Sequence, residues 1–196
     1  MTTPIVNANT RVIPGRECGS CSLCCKVYTI TELDKPAGKW CTHCKPGKGC
    51  VIHDALPTQC IEFNCLWRTE ASIGPDWKPD RSKMVLTISP VNGYINVQVD
   101  AGAPQAWRKQ PYYDQLHPWT RNNFDKEIYV LVFVNDEATL IPSRKGRTSV
   151  RKDNGPGFAT YKVQVTPGVP FGGVGWQLSP LVPRCSVEAF RSARRA

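Results

Sequence analysis

Hydrophobic and polar positions alternate with period two through the second half of the chain, which predicts β-strands there. The predicted strands cover residues 84–89, 94–100, 128–134, 137–141 and 158–165. Asn92-Gly93 is a strong hairpin signal, and Asn135-Asp136 predicts a second tight turn. Residues 128–134 are apolar at nearly every position, which is typical of a central strand covered on both faces. The turns predict a mainly antiparallel sheet.

Two prolines divide the segment between the second and third predicted strands. Pro104 and Pro111 each suit the first position of a helix and neither suits a helix interior. We therefore predict two short helices within 104–122 rather than one long helix. Together with the strands, this predicts an α+β fold.

The N-terminal third of the chain has a different composition. Residues 18–67 contain much glycine and proline and few large apolar side chains, so hydrophobic burial alone is not expected to hold them. We predict a small cysteine-rich, metal-stapled module here, followed by the sheet. The predicted organisation is an extension over 1–17, the module over 18–67, a linker over 68–83, the α+β sheet domain over 84–165 and an irregular basic tail over 166–196.

Length and charge limit the classes of function. The 196 residues suffice for one sizeable core. The net charge of +9 is concentrated at the C-terminal end, since residues 142–196 hold 10 Lys or Arg against 2 Asp or Glu. Such a basic end attracts phosphates, so a nucleic-acid-associated zinc protein is one alternative. A solvated tail is the reading we favour, because the basic residues are dispersed and no nucleic-acid-binding signature accompanies them.

The sequence contains no apolar run of membrane-spanning length, so no membrane association is expected. The first residues lack the basic start and apolar core of a secretory signal, which favours the reducing cytoplasm. A disulfide scaffold is therefore the less favoured explanation of the cysteines.

Nine of the ten cysteines fall within one segment of 48 residues. Cys-x2-Cys pairs let two sulfurs hold one ion from a tight turn, and repeated short pairs are what thiolate metal sites need. The candidate metal ligands are Cys18, Cys21, Cys24, Cys25, Cys41, Cys44, Cys50, Cys60 and Cys65. Among them we predict Cys44 as the spare or bridging thiol, because it shares its turn with Cys41.

The order of these motifs resembles a known family. Cys-x2-Cys-x2-Cys-Cys, then Gly-Cys-Val-Ile-His over 49–53 and Pro-Thr-Gln-Cys-Ile-Glu-Phe-Asn-Cys over 57–65, is similar to the YkgJ-type cysteine-cluster proteins, described as zinc- or iron-chelating. The resemblance covers about residues 17–66. This chain has His53, Leu56 and Ile61 where the family commonly has Tyr, Arg and Arg. The resemblance implies a metal-binding module.

Two metal centres fit the thiols. Eight thiolates close two tetrahedral Zn²⁺ sites, which we favour, whereas the opening Cys-x2-Cys-x2-Cys with a remote fourth cysteine also fits a [4Fe–4S] cluster with a redox or modification-enzyme role. His43 and His53 are expected to be surface residues or to support ligands rather than to bind metal, and His117 is expected to be an ordinary residue near a helix end. Cys185 is predicted to be a free thiol. No catalytic motif appears, so no catalytic residues are assigned.

Overall fold

The computed structural model describes residues 12–52, 55–90, 93–123, 129–135, 137–141, 159–165 and 176–178. His53, Asn92, Asp136, Cys185, most of the predicted N-terminal extension and nearly all of the predicted basic tail lie outside these residues, so the predictions made for them stay predictions. The described part of the tail, Trp176–Leu178, is a strand rather than irregular chain.

The main sheet has six strands in chain order. They are β3 (Met84–Ile88), β4 (Ile95–Val99), β5 (Val130–Val134), β6 (Glu137–Ile141), β7 (Ala159–Val165) and β8 (Trp176–Leu178), preceded by a separate hairpin of β1 (Cys44–Lys45) and β2 (Gly49–Cys50). Neighbouring strands of the main sheet pair antiparallel except β4 with β5. The α+β fold with a mainly antiparallel sheet is confirmed, and β5 is central as predicted.

The helices are short. They are α1 (Cys24–Val27), α2 (Thr58–Glu62), α3 (Leu66–Thr69), α4 (Pro79–Ser82) and α5 (Tyr112–Asn123), with 3-10 turns at Thr31–Leu33, Pro75–Trp77 and Ala106–Arg108. The last 3-10 turn and α5 occupy the segment in which two short helices were predicted. Parallel strands require a long crossover, and the chain containing α5 supplies it between β4 and β5. In the described part of the chain, no helix is long and apolar enough to span a membrane.

Residues 68–83, predicted as a linker, instead form part of the core. Their prolines do not mark a flexible loop, because Pro75 and Pro79 each begin a short helical segment. Ile73 and Trp77 are each only 1% exposed. The Trp77 ring packs against Tyr112, with ring centroids 4.9 Å apart. This stretch therefore covers the sheet.

The cysteine-rich segment shares that same core. Leu23 and Val27 from around α1 pack in one apolar cluster with Leu66 of α3 and with strands β3, β4 and β5. The Lys26 Nζ also donates a hydrogen bond of 2.6 Å to the Asp100 carboxylate, just after β4. Residues 18–67 are thus packed onto the sheet on one side.

Replacing Trp77 with alanine tests this packing. We expect Trp77→Ala to lower the free energy of unfolding by about 3–5 kcal/mol, because it removes a fully buried ring from the core. Trp40→Ala is the control: that ring is 40% exposed, so we expect a loss below about 1 kcal/mol. Urea denaturation measures both values, and equal losses would contradict the assignment of residues 68–83 to the core.

The Lys26–Asp100 pair predicts a pH dependence. Burial opposes ionisation of Asp100, but hydrogen bonds from Lys26 and the Gly102 backbone N–H outweigh it, so its pKa lies below the ordinary 3.8. The stabilisation by the carboxylate is therefore present above pH 3.8 and is lost as the pH falls through the lowered pKa.

We expect Asp100→Asn to cost about 1 kcal/mol of unfolding free energy at neutral pH, and the difference from the unmodified protein to shrink at low pH. Asp76→Asn is the control, because Asp76 pairs with Arg81 where both side chains are more than half exposed. Urea denaturation across pH gives both differences. A difference for Asp100→Asn that is the same at every pH would be inconsistent with the ion pair.

Candidate functional site

Helix α1 fixes the directions of two consecutive cysteines. Leu23 and Val27 lie four residues apart, so they share one helix face, and both are buried in the main core. Successive residues of a helix are rotated by about 100°. Cys24 and Cys25 are consecutive in this anchored turn of helix, and their side chains hydrogen-bond to each other.

Four sulfurs make up what we call the first cysteine group: Cys18, Cys21, Cys24 and Cys65. The Cys21 N–H donates a hydrogen bond of 2.8 Å to the Cys18 carbonyl, which closes the turn that leads into α1. Burial raises the pKa of Cys65 to about 11, and the charges of Cys18 and Cys21 contribute to the rise. The hydrogen bond with the Cys25 side chain and burial raise the pKa of Cys24, and the charges of Cys18 and Cys21 add to the rise. Cys65, distant in sequence, therefore lies beside the opening motif.

The other five sulfurs make up the second cysteine group: Cys25, Cys41, Cys44, Cys50 and Cys60. Cys41 and Cys44 are buried with Ile30 in a small apolar cluster, and Cys25 and Cys60 pack against it. The Cys41 N–H donates a hydrogen bond of 3.0 Å to the Cys25 carbonyl, which ties this turn to α1. This cluster is separate from the main core, in which Cys65 is buried.

The hairpin of β1 and β2 brings Cys44 and Cys50 together. They are directly opposite in the antiparallel register. The Val51 N–H donates to the His43 carbonyl at 2.9 Å, so Cys44 and Cys50 form the adjacent pair without backbone hydrogen bonds. Side chains at such pairs lie on the same face and close to each other. Cys50 is thus a near neighbour of Cys44.

Cys25 has the environment of a thiolate. A hydrogen bond from the Cys24 side chain lowers the pKa of Cys25, against the effect of burial, and the Cys44 side chain and the positive charge of Lys35 lower it further. Burial raises the pKa of Cys44 to about 12 and that of Cys60 to about 11, and the negative charge of Cys25 adds to both. Among these three thiols, Cys25 is therefore the one that loses its proton most readily.

Lys35 is a buried ammonium beside these sulfurs. Only 6% of the residue is exposed. Its Nζ donates to the carbonyl of Lys26 at 2.9 Å and to the carbonyl of Tyr28, both near the end of α1. Burial lowers the pKa of Lys35, and the negative charges of nearby cysteines, Cys41 and Cys25 foremost, oppose that effect. The side chain supplies positive charge where thiolates would gather.

Two polar side chains hold the remaining parts of the site in place. The Glu32 carboxylate accepts hydrogen bonds of 3.1 Å from the backbone N–H groups of Thr58 and Gln59 at the start of α2, which carries Cys60. The buried Ser22 Oγ accepts a hydrogen bond of 3.2 Å from the Gly47 N–H in the hairpin turn. Both contacts join distant stretches of the cysteine-rich segment.

His43 and His117 lie in different surroundings. His43 lies within the turn between Cys41 and Cys44 and is partly exposed. His117 lies in α5, is buried, and packs edge-on against Tyr113 with ring centroids 4.9 Å apart. His117 is therefore a packed residue within the helix rather than at its end.

The sulfurs are neighbours but are not preassembled. All nine cysteines of the segment are free thiols. Among the described residues, no group of three or more His, Cys, Asp or Glu side chains has a geometry ready to hold a metal ion. The donor chemistry fits a thiophilic metal, and closing a site around one requires the sulfurs to move together.

Comparison of the chain with protein-family models, with curated proteins and with solved structures found no match.

Sequence reasoning missed Lys35, Glu32 and Ser22. Most lysines are exposed, so a single Lys between Asp34 and Pro36 gives no sign of burial. Lys39, Lys45 and Lys48 lie in the same segment, and all three are exposed. The contacts of Glu32 and Ser22 span more than 20 residues and have no local sequence signature.

Lys35 provides a test of this local structure. We expect Lys35→Met to lower the free energy of unfolding by about 1–3 kcal/mol, because two buried carbonyl groups lose their donor. The exposed Lys39→Met is the matched control and should change stability by less than about 0.5 kcal/mol. Urea denaturation under reducing, metal-free conditions measures both. Equal stabilities of the two variants would be evidence against the buried role of Lys35.

Proposed function

We propose that this protein binds thiophilic metal ions through the cysteines of residues 18–65, with Zn²⁺ as the favoured metal. The supporting observation is that separate stretches of chain bring nine free thiols around α1, in two groups. Structural zinc sites use four thiolates, and the number of thiols suffices for two such sites. The resemblance to the YkgJ-type cysteine-cluster family supports the same proposal.

Metal binding by these thiols would be coupled to the loss of their protons. Raised pKa values keep Cys44, Cys60 and Cys65 protonated at neutral pH in the absence of a cation. A divalent ion displaces such protons, so metal binding and thiol deprotonation occur together. Because this segment has little other apolar core, metal binding would supply part of its folding free energy.

A [4Fe–4S] cluster is the second candidate, and the first cysteine group favours it. Cys18, Cys21 and Cys24 have the spacing of a ferredoxin motif. The fourth ligand of such a motif comes from a distant part of the chain, and Cys65 is buried beside these three. Metal analysis separates the two candidates.

The test is metal and sulfide analysis, with a visible absorption spectrum, of full-length protein purified without oxygen. We expect a colourless protein with about two zinc ions per chain, whereas brown protein with iron and sulfide would favour the cluster. Cys65→Ser should lower the metal content and make residues 18–67 more sensitive to protease. Cys185→Ser is the control and should do neither.

A metal-free protein whose cysteines are paired as disulfides in cells would contradict both candidates. Iron or zinc that remains at full content in Cys65→Ser would place the metal elsewhere in the chain. Protease sensitivity is a second measurement besides metal content, since loss of a structural metal is expected to loosen residues 18–67.

A further inference from the structure

We infer that Cys44 and Cys50 are a reversible oxidation site, at which an anionic small-molecule disulfide such as oxidised glutathione converts the two thiols into a disulfide across the β1–β2 hairpin. A sulfur in a disulfide no longer binds a metal as a thiolate, so this oxidation releases zinc. The disulfide follows from the geometry of the hairpin alone, whereas the release of zinc rests on the proposed function.

The hairpin register places the two cysteines side by side. Cys44 and Cys50 are directly opposite each other, at a position of the ladder without backbone hydrogen bonds. The Cα atoms of such a pair are about 4.5 Å apart, and the side chains leave the strands on the same face. Disulfides usually join Cα atoms roughly 4.4–6.8 Å apart, so this pair can close with little movement of the backbone.

Backbone contacts hold the hairpin in this register. The Val51 N–H donates a hydrogen bond of 2.9 Å to the His43 carbonyl, next to the cysteine pair. In the turn, the Gly47 N–H donates a hydrogen bond of 3.2 Å to the buried Ser22 Oγ. Gly49 has a φ of +96°, which glycine adopts readily and other residues rarely do. The two thiols are therefore kept adjacent by the hairpin itself.

Two other pairs of neighbouring thiols compete less well. Cys24 and Cys25 are consecutive, and the Cα atoms of consecutive residues are about 3.8 Å apart, which is below the usual range for a disulfide. The Cys25 side chain also contacts Cys44. Cys25, however, belongs to α1, which is held against the main core, so a disulfide to it would join two separately fixed stretches. Cys50 shares one hairpin with Cys44 and is therefore the favoured partner.

Exposure and charge indicate where the oxidant reacts. Cys50 is partly exposed, whereas Cys44 is buried. Lys45 and Lys48, in the turn between them, are both exposed. Oxidised glutathione carries a net negative charge at neutral pH, so these two ammonium groups attract it to the hairpin. Cys50 is therefore the sulfur that the oxidant reaches first.

The reaction is a pair of thiol–disulfide exchanges. The Cys50 thiolate attacks one sulfur of oxidised glutathione, the S–S bond breaks, and one glutathione thiolate leaves. The Cys44 thiolate then attacks the Cys50 sulfur, and the second glutathione thiolate leaves. The two departing thiolates take up the two protons that the cysteines lose. The cysteine pair is oxidised by two electrons, and one glutathione disulfide is reduced to two glutathione thiols.

Loss of two thiols changes the capacity for zinc. The segment has nine free cysteines, and two zinc sites of four thiolates each need eight. Once Cys44 and Cys50 are joined, seven thiols remain. One zinc ion is therefore lost, whichever cysteine is the surplus one. A reducing thiol reverses both exchanges and restores the capacity.

The experiment treats reduced, metal-free full-length protein with one equivalent of oxidised glutathione. The remaining thiols are then alkylated, and the disulfide is mapped by mass spectrometry. We expect Cys44–Cys50 as the main disulfide, removed again by dithiothreitol, and we expect Cys50→Ser to lose it. Cys41→Ser is the matched control: Cys41 is as buried as Cys44 and lies in the same turn, but its loss should leave the disulfide unchanged.

Cys44→Ser tests the order of the two exchanges. Without the Cys44 thiol, the mixed disulfide at Cys50 is not resolved, so glutathione should stay attached to Cys50. In Cys50→Ser, the buried Cys44 should take up glutathione more slowly. Circular dichroism of each variant checks that the sheet remains folded.

A second measurement links the site to the proposed function. The protein is loaded with Zn²⁺, and its zinc content is measured by equilibrium dialysis before and after the same oxidation. The unmodified chain should lose one zinc ion per chain. Cys50→Ser should keep after oxidation the zinc that it held before.

The failures are distinguishable. A different main disulfide, Cys25–Cys44 included, or a mixture without a main product would overturn this inference and leave the proposed function standing. A reduced protein that binds no zinc would overturn the proposed function, while the mapping would still decide the disulfide. A Cys44–Cys50 disulfide that forms without loss of zinc would overturn the link between oxidation and metal release.

Discussion

The packing of α1 against the sheet is the constraint on which the cysteine-rich segment depends. Leu23 and Val27 place one face of this single helical turn in the main core. Cys24 and Cys25 belong to the same turn. The Lys26 Nζ lies 2.6 Å from the Asp100 carboxylate, and this ion pair also holds the turn in place. Two neighbouring turns are joined to this helix. The turn from Cys18 to Cys21 leads into it, and the Cys41 N–H donates a hydrogen bond to the Cys25 carbonyl.

Apolar burial and buried polar contacts both stabilise the described part of the molecule. Apolar burial holds the sheet, α3 and α5, and it reaches into the cysteine-rich segment through Leu23, Val27 and Leu66. Beyond that contact, the described residues of the segment form a small cluster around Ile30, and buried polar contacts such as those of Lys35 contribute there. In our account, metal ions complete this part of the structure, because thiols that are already neighbours lose less chain entropy when a cation closes the site.

Much of the sheet was predictable from local signals, and the interior of the site was not. Period-two alternation predicted β3 and β4, and the apolar run predicted β5 as a central strand, because these features report directly on which faces are covered. The Asn92-Gly93 turn stays a prediction, since Asn92 lies outside the described residues. Residues 68–83 were misjudged because Pro75 and Pro79 look like loop punctuation while they begin short helices around the buried Trp77. The burial of Lys35 and the contact of Cys44 with the Cys25 side chain depend on distant parts of the chain, and sequence spacing does not encode them.

X-ray absorption spectroscopy at the metal edge tests the central claim most directly, since it counts the atoms around the metal in the unmodified full-length protein. Our account predicts a first shell of four sulfurs at about 2.3 Å for bound zinc, with no nitrogen or oxygen neighbours. A shell containing nitrogen or oxygen would contradict it.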